Sequence, residues 1–415
     1  IAGCSLNVKP EDVYQLYAQM QQEGVMPNEA TYTSILDACT SSSEGKRVHA
    51  HIMGMPLGIG IIAGAAVLNM YGKCGSLDEV HRYFKEMNHR DVVSWNTMIS
   101  IFAKKGMNKQ ALQLYEDMRK EGFVSDKVTF LSVLSTFMTE VELEEGKRVH
   151  KHITFMGLDL DISVANALIN MYGKCSASLQ DALVIFNKLS DRDIVTYVNM
   201  ISACSSQAIL AEGQRIHSLI KEKKMESSSI LANAIMSMYS KCGSLINARR
   251  MFDKMDEQKT VVSWSTIIAT YGQHGEGTEV LYLYDQMQRT NISPEPITLI
   301  SLLFAFSHAG LLDEGCYSFS FITSKHQLVV LDHFNCMIDL LGRIGCVDDA
   351  ICLINGMPFQ PNNMSWSILV CASQVHMHFD RAELASEYVL ELNPDDTTGY
   401  VVLSNIYNAQ CLDSV

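Results

Sequence analysis

One phrase recurs along this chain and limits what it can fold into. NMYGKCGSL at 69–77 returns as NMYGKCSASL at 170–179 and as SMYSKCGSL at 237–245, and a looser copy, DLLGRIGCV, stands at 339–347. Internal repetition with a period of roughly 20–50 residues marks a stacked array rather than a globule around one core. Met70 and Met171 lie 101 residues apart and Met171 and Met238 lie 67 apart, and both spacings resolve into units of 31–35 residues. Other phrases keep the same period. DVVSWNTMI begins at Asp91, DIVTYVNMI at Asp193 and TVVSWSTII at Thr260; EGKRVH begins at Glu44 and Glu145, and EGQRIH at Glu212.

Each unit reads as two helices. After Asp91, VVSWNTMISIFAKKG has helical apolar spacing and stops at Gly106, and MNKQALQLYEDMRKEG places Ala111, Leu112, Leu114, Tyr115 and Met118 on one face and stops at Gly122. Glycine at such stops suits a left-handed C-terminal cap. Within the opening phrase, Ser76 to Glu79 has the S-x-x-E form of a capping box. Trp95, Trp264 and Trp366 fall at the fourth place of a unit, as do Tyr32, Phe130, Tyr197 and Phe334. A large ring at one register, unit after unit, is core packing between neighbours. A two-helix unit cannot bury its apolar face alone, so the expected fold is all-α: a right-handed α-solenoid of helix-turn-helix repeats of about 31–35 residues.

Composition narrows the class. Of 415 residues 47% are apolar and 19% charged, which excludes a disordered chain, and no run of about 18 apolar residues predicts a membrane span. The 12 cysteines are dispersed and form no C-x-x-C, which fits reduced, packed thiols; Cys74, Cys175 and Cys242 share one register. A formal net charge of -14 has the wrong sign for a simple nucleic-acid binder. The chain starts at Ile1 with no visible signal or transit peptide and reads as a piece of a longer protein.

VVSWNTMIS, ALQLYEDMRKEG, NALINMYGKCS and EGKRVHxH resemble the pentatricopeptide repeat proteins of land plants, over essentially the whole chain. The alternation of longer and shorter units is similar to their PLS subclass. On that resemblance, residues 1–28 are the rear of a P-type unit, 29–60, 127–161, 194–228 and 296–330 are L-type, 61–91, 162–193, 229–260 and 331–362 are S-type, and 92–126 and 261–295 are P-type. Residues 363–415 resemble the E-type extension, cut short.

The resemblance implies single-stranded RNA as partner, one base per repeat, chosen by the fifth and last residues of each unit. Those pairs are Asn96 with Asp126, Asn166 with Asp193, Asn233 with Thr260, Ser265 with Glu295, Asn335 with Asn362, and Ala65 with Asp91. In the family, Asn with Asp favours uracil, Asn with Asn a pyrimidine, and a small hydroxyl with an acid guanine; Glu295 departs from the usual Asp. The L-type pairs, Thr33 with Gly60, Leu131 with Asp161, Val198 with Ser228 and Ile300 with Val330, are expected to select little, because an apolar side chain cannot read a base edge. An Asn near a helix start is also an ordinary cap residue, but four of these share one register. The second place, Val93, Val195 and Val262, sandwiches bases in the family; in the sequence alone it is equally core.

A ladder of cations occupies the thirteenth place of P- and S-type units: Lys73, Lys104, Lys174, Lys241 and Arg343, with Gln273 the exception. The matching L-type residues are Ser41, Thr139, Ser206 and His308. A cation there complements the helix dipole, yet the skipping of L-type units favours contact with an RNA backbone.

Neither metal nor cofactor is expected. His49 with His51, His150 with His152 and His376 with His378 are two apart and point to different helix faces, which is poor chelation. The resemblance further implies organellar cytidine-to-uridine editing, in a mitochondrion or chloroplast, with the chain as specificity factor and editing-complex proteins meeting the extension. His274-Gly275-Glu276 has the H-x-E form of a zinc deaminase, but no C-x-x-C follows, so the chain is expected not to be an enzyme. The alternative is a protein-interaction solenoid that reads no bases.

Overall fold

The structure, a computed structural model, describes residues 10–54, 61–87, 89–175, 179–255, 259–290, 292–324, 329–393, 400–401 and 404–405. Gly60 and most of the extension beyond 393 lie outside the described residues. Among those described, there are twenty-three α-helices, one 3-10 turn (Glu140–Glu142) and no strand.

A first helix, α1 (Pro10–Gln22), is followed by helix pairs. In chain order these are α2 (Glu29–Ala38) and α3 (Ser42–Met53); α4 (Ile61–Cys74) and α5 (Leu77–Glu86); α6 (Val92–Lys104) and α7 (Asn108–Lys120); α8 (Lys127–Leu134) and α9 (Leu143–Phe155); α10 (Ile162–Cys175) and α11 (Gln180–Lys188); α12 (Ile194–Ser206) and α13 (Leu210–Glu222). They continue with α14 (Ser229–Lys241) and α15 (Leu245–Lys254); α16 (Val261–Gln273) and α17 (Gly277–Arg289); α18 (Pro296–Ala309) and α19 (Leu312–Ser324); α20 (Leu331–Ile344) and α21 (Val347–Gly356); α22 (Asn363–Val375) and α23 (Phe379–Leu392). No helix among the described residues is long and apolar enough to cross a membrane.

The chain separates into two compact units, Ile1–Ala203 and Cys204–Val415, the division falling within α12. In the first, α2 packs on α4, α4 on α6, α6 on α8 and α8 on α10. In the second, α14 packs on α16, α16 on α18, α18 on α20 and α20 on α22. Within each unit these helices also lie on their own partners, which is the stacking that a half-apolar helix pair requires.

Local chemistry sets the helix ends. The Ser76 hydroxyl accepts from the Glu79 N–H, and the Glu79 carboxylate accepts from the Ser76 N–H, so the expected capping box is formed. Gly106 and Gly122 close α6 and α7 at φ of +75° and +85°, a region that costs a Cβ-bearing residue about 1 kcal/mol or more.

The fourth-place rings form the core. Trp95, Phe130, Tyr197, Trp264, Phe334 and Trp366 are all buried. Trp95 meets Phe84 edge-on with centroids 4.7 Å apart at 76°, and Trp264 meets Phe252 at 4.7 Å and 75°. One packing solution is thus reused in both compact units.

The two recurring phrases EGKRVH and NMYGK prove to be halves of one contact. A Cβ on Gly146 would lie 2.8 Å from Met171 Sδ, and one on Gly213 would lie 2.5 Å from Met238 Sδ, so a side chain at either place would push the methionine out of its present seat. Four residues on, His49, His150 and His217 bond the hydroxyls of Tyr71, Tyr172 and Tyr239 through Nδ1 at 3.0, 2.8 and 2.9 Å. Burial pushes each of these imidazoles below its ordinary pKa and pushes Tyr71, Tyr172 and Tyr239 up. In the looser fourth copy Gly315 still seats Leu340, but Phe319 replaces the histidine where Leu341 replaces the tyrosine. His51 and His152, the outer members of the histidine pairs, pack on other rings: His51 on Tyr17 and Tyr32, His152 on Phe130.

Candidate functional site

The first turns of the even-numbered helices carry a repeated polar arrangement, most complete at α6 and α8. Asp126 stands just before α8 and caps it, accepting from the Thr129 N–H at 2.9 Å. The Asn96 amide, on α6, donates to the same Asp126 Oδ1 at 2.9 Å. The Thr129 hydroxyl closes the triangle, 2.5 Å from Asn96 Oδ1, and accepts from the Asp126 N–H at 3.1 Å. Burial by itself would raise the Asp126 pKa; the hydrogen bonds from Thr129 and Asn96 outweigh it and hold the carboxyl below its ordinary value. Asn96 keeps only 6% of its surface, so its amide is oriented and nearly sealed.

The other pairs follow this plan to different degrees. Asn166 donates to Asp193 Oδ1 at 3.1 Å, and Asp193 accepts from the Thr196 N–H at 2.7 Å and the Thr196 hydroxyl at 2.8 Å. Burial again opposes and those bonds again prevail, holding Asp193 low. Asn335 and Asn362 meet through Ser365, whose hydroxyl lies 2.7 Å from Asn335 Oδ1 and 3.0 Å from Asn362 Oδ1. Ser265 reaches the Thr298 hydroxyl at 2.7 Å rather than Glu295, and also bonds the Val261 carbonyl. Thr260 caps Ser263, while Asn233 Oδ1 is buried without a protein partner, as is Asn166 Oδ1. Ala65 has no polar group to offer, and Asp91 is spent on capping Ser94.

The caps are therefore the last residues of the units, not the fifth-place asparagines, which sit one turn inside their helices. Among the L-type pairs, Asp161 is ion-paired to Lys127 at 2.9 Å and accepts from the Val164 N–H, and Leu131, Val198 and Ile300 form no such triangle.

In the first compact unit an open groove of about 520 Å³ is lined by Asn96 and Asp126, by Val93 and Val128, and by Lys73 and Lys104. In the second, a groove of about 400 Å³ repeats the composition with Ser265 and Glu295, Val262 and Ile297, and Lys241. The second-place side chains are not core: Val93, Val195, Val262 and Ile297 are 55%, 52%, 57% and 61% exposed. Sequence periodicity missed this because the residue lies at the edge of the apolar stripe.

All five cations lie in the last turn of an even-numbered helix and are exposed. They are not equivalent. Lys73 reaches Asp37 at 3.3 Å and Arg343 reaches Asp339 at 2.8 Å, whereas Lys174 lies 3.5 Å from Met138 Sδ. Exposed ion pairs of this kind contribute about 0–1 kcal/mol, so an incoming anion displaces them cheaply. His274, of the H-x-E string, lies 2.8 Å from the Thr270 carbonyl at the end of α16, and Gly275 turns the chain at φ +75°.

The PPR repeat family model matches residues 1–41 and 90–139, and the PPR repeat model matches 66–92, 230–259, 262–292 and 332–358. A chloroplastic pentatricopeptide repeat-containing protein of Arabidopsis thaliana is 32% identical over 99% of this chain and 55% of its own length. A mitochondrial one from the same plant is 32% identical over 95% of this chain and 68% of its own. The chain thus spans between about half and two thirds of these relatives. The crystal structure of the maize pentatricopeptide repeat protein PPR10 matches the fold with a TM-score of 0.63 at 19% identity, covering 97% of this chain and 65% of that one. The same maize protein in complex with an 18-nucleotide psaJ RNA element matches at a TM-score of 0.53 and 18% identity, covering 95% of this chain and 64% of that one. Repeat geometry, matching models and similarity along nearly the whole of this chain agree: the chain belongs to the pentatricopeptide repeat family.

Proposed function

We propose that this chain binds single-stranded RNA along the first turns of its even-numbered helices, one base per repeat, and that it directs an organellar RNA-processing event, foremost cytidine-to-uridine editing. The observation that carries the reading is the groove at α6. An oriented amide–carboxylate pair, Asn96 with Asp126, lies between two exposed valines and is flanked by Lys73 and Lys104. A base is a flat polar-edged ring; apolar side chains cover its faces, an amide meets its edge, and lysines meet the phosphates on either side. The unpaired Oδ1 atoms of Asn166 and Asn233 are acceptors that a base donor would satisfy, relieving a burial cost of about 1–3 kcal/mol each.

The net charge of -14 is compatible with this because the five cations stand at one register of the even-numbered helices, so local potential rather than net charge governs the approach of a phosphate chain. The division into P-, L- and S-type units, and the assignment of 363–415 to an E-type extension that meets editing-complex proteins, belong to the same proposal. Names of relatives as chloroplastic and mitochondrial proteins support an organellar location. We assign the chain the targeting role and no reaction.

The test is selection from a random single-stranded RNA pool at a fixed, stated salt concentration. Pyrimidines are expected opposite units 92–126, 162–193 and 331–362, with Asn96→Ala flattening preference at the first. Absence of binding to any member of the pool would sink the reading and assign the grooves to a protein partner.

A further inference from the structure

We infer that the third residues of α8 and α22, Thr129 and Ser365, are positioning residues for the base read by the preceding repeat, each completing a three-residue reader in which its hydroxyl sets the direction of the fifth-place amide. This rests on the proposal that the fifth and last residues read bases, and adds a member to it.

The geometry at Thr129 carries the argument. A carboxylate only accepts hydrogen bonds, so Asp126 draws the Asn96 nitrogen towards itself. The Thr129 hydroxyl then donates to Asn96 Oδ1 at 2.5 Å, holding the other end of the amide. With one donor and one acceptor position spent, the remaining N–H and lone pair of Asn96 have fixed places, and a fixed donor–acceptor order is what distinguishes one Watson–Crick edge from another. Asn335 depends on the hydroxyl more heavily. Its last-place partner, Asn362, is itself an amide and imposes no direction; only the Ser365 hydroxyl, 2.7 Å from Asn335 Oδ1, does so.

The pattern along the chain follows the same logic. Fifth-place Asn96, Asn166, Asn233, Ser265 and Asn335 are each followed by a hydroxyl, at Thr129, Thr196, Ser263, Thr298 and Ser365. Apolar Leu131, Val198 and Ile300 are followed by Val164, Leu231 and His333. Two junctions fall outside this pairing, and each has a local reason. Thr33, followed by Ala63, donates to its own helix at the Glu29 carbonyl; Ser94, which follows Ala65, bonds Asp91. At Asn166 and Asn233 the following hydroxyl bonds Asp193 and Thr260 instead and the amide oxygen has no protein partner, and Ser265 bonds both the Thr298 hydroxyl and its own helix at Val261, so the direct hydroxyl-to-amide contact is that of Thr129 and Ser365.

The hydroxyl also belongs to the helix cap, accepting from the Asp126 N–H, while the other half of the cap is the backbone N–H of Thr129, which any residue supplies; reading base preference beside stability separates the two roles. The experiment compares the 415-residue chain with Thr129→Val, Thr129→Ser, Ser365→Ala and Asn96→Ala, each against a random single-stranded RNA pool, with a urea unfolding midpoint for every variant. Thr129→Val is expected to flatten base preference about fivefold opposite unit 92–126, the effect of one net hydrogen bond, and to leave preference opposite unit 162–193 unchanged. Thr129→Ser is expected to restore it, and Ser365→Ala to flatten preference opposite unit 331–362 more strongly. Uniform loss of affinity with a lowered midpoint, preference intact, would reduce the hydroxyl to a structural cap and overturn the inference. Should Asn96→Ala also leave preference intact, the base-reading proposal fails with it; if Asn96→Ala flattens preference and Thr129→Val does not, only this inference fails.

Discussion

The junction after α6 and the junction after α18 have the same helical frame and different chemistry. At the first, Asn96, Asp126 and Thr129 form a closed polar triangle. At the second, Ile300, Val330 and His333 hold the equivalent places, and His333 is fully buried. Its Nδ1 accepts from the Val330 N–H at 3.1 Å, as Thr129 accepts from Asp126, and its Nε2 donates to the Pro296 carbonyl at 3.1 Å. The third place therefore seals the start of an even-numbered helix in both. Only at the first does it also turn a polar group towards the fifth-place side chain. A repeat can thus be kept in the stack without being given anything to read with.

Three measurements break or sharpen this contrast, in falling order of effect. His333→Ala removes a buried ring and strands the Val330 N–H and Pro296 carbonyl, and should cost about 3 kcal/mol in urea unfolding. A cost near zero would mean that the ring does not seal the junction. Ile300→Asn, which introduces an amide with no carboxylate or hydroxyl opposite, should cost about 2 kcal/mol. Combining it with Val330→Asp and His333→Thr should return about half of that, measured as a coupling energy among the substitutions. Strict additivity would show that the triangle is not a unit.

The third measurement is the pH dependence of the two junctions. Burial pushes the His333 pKa down, despite the hydrogen bond to Pro296. An unfolded histidine takes up a proton before the folded one, so this contribution is complete above about pH 6.5 and is lost as pH falls below it. Asp126 is held below 3.8, so its contribution persists to about pH 4 and is lost only beneath that. The stability gap between wild type and His333→Ala should narrow between about pH 7 and pH 5, while that between wild type and Asp126→Asn should not. Parallel curves for both variants would contradict the assigned protonation states.

Much of this was legible in the residues. Repetition of NMYGK and EGKRVH specified units, and aromatic residues at one register specified where neighbours pack, because both follow from periodicity. The capping box from Ser76 to Glu79 and the left-handed Gly106 and Gly122 were readable because caps and turns are local. The candidate pairs were picked out by register and resemblance, yet their bonds were not. Asn96 and Thr129 are 33 residues apart, and nothing in the spacing says that a hydroxyl of the next helix faces an amide. Nor did the coupling of histidine to tyrosine, 22 residues apart in each of three copies, follow from either phrase alone.

The sequence by itself determined that the chain is an array of helix pairs, where rings would be buried, and which residues recur at one register. Those are consequences of a repeating apolar pattern that no other arrangement can bury. Only the tertiary structure decided that Val93, Val195 and Val262 stand half in solvent, that Lys104 and Asn96 share a groove while Lys73 also reaches Asp37, and that Asp126 serves the helix it precedes and the amide before it. The reason is physical: exposure and hydrogen bonding at these places are set by how closely one helix pair approaches the next, and that distance depends on side chains more than thirty residues away.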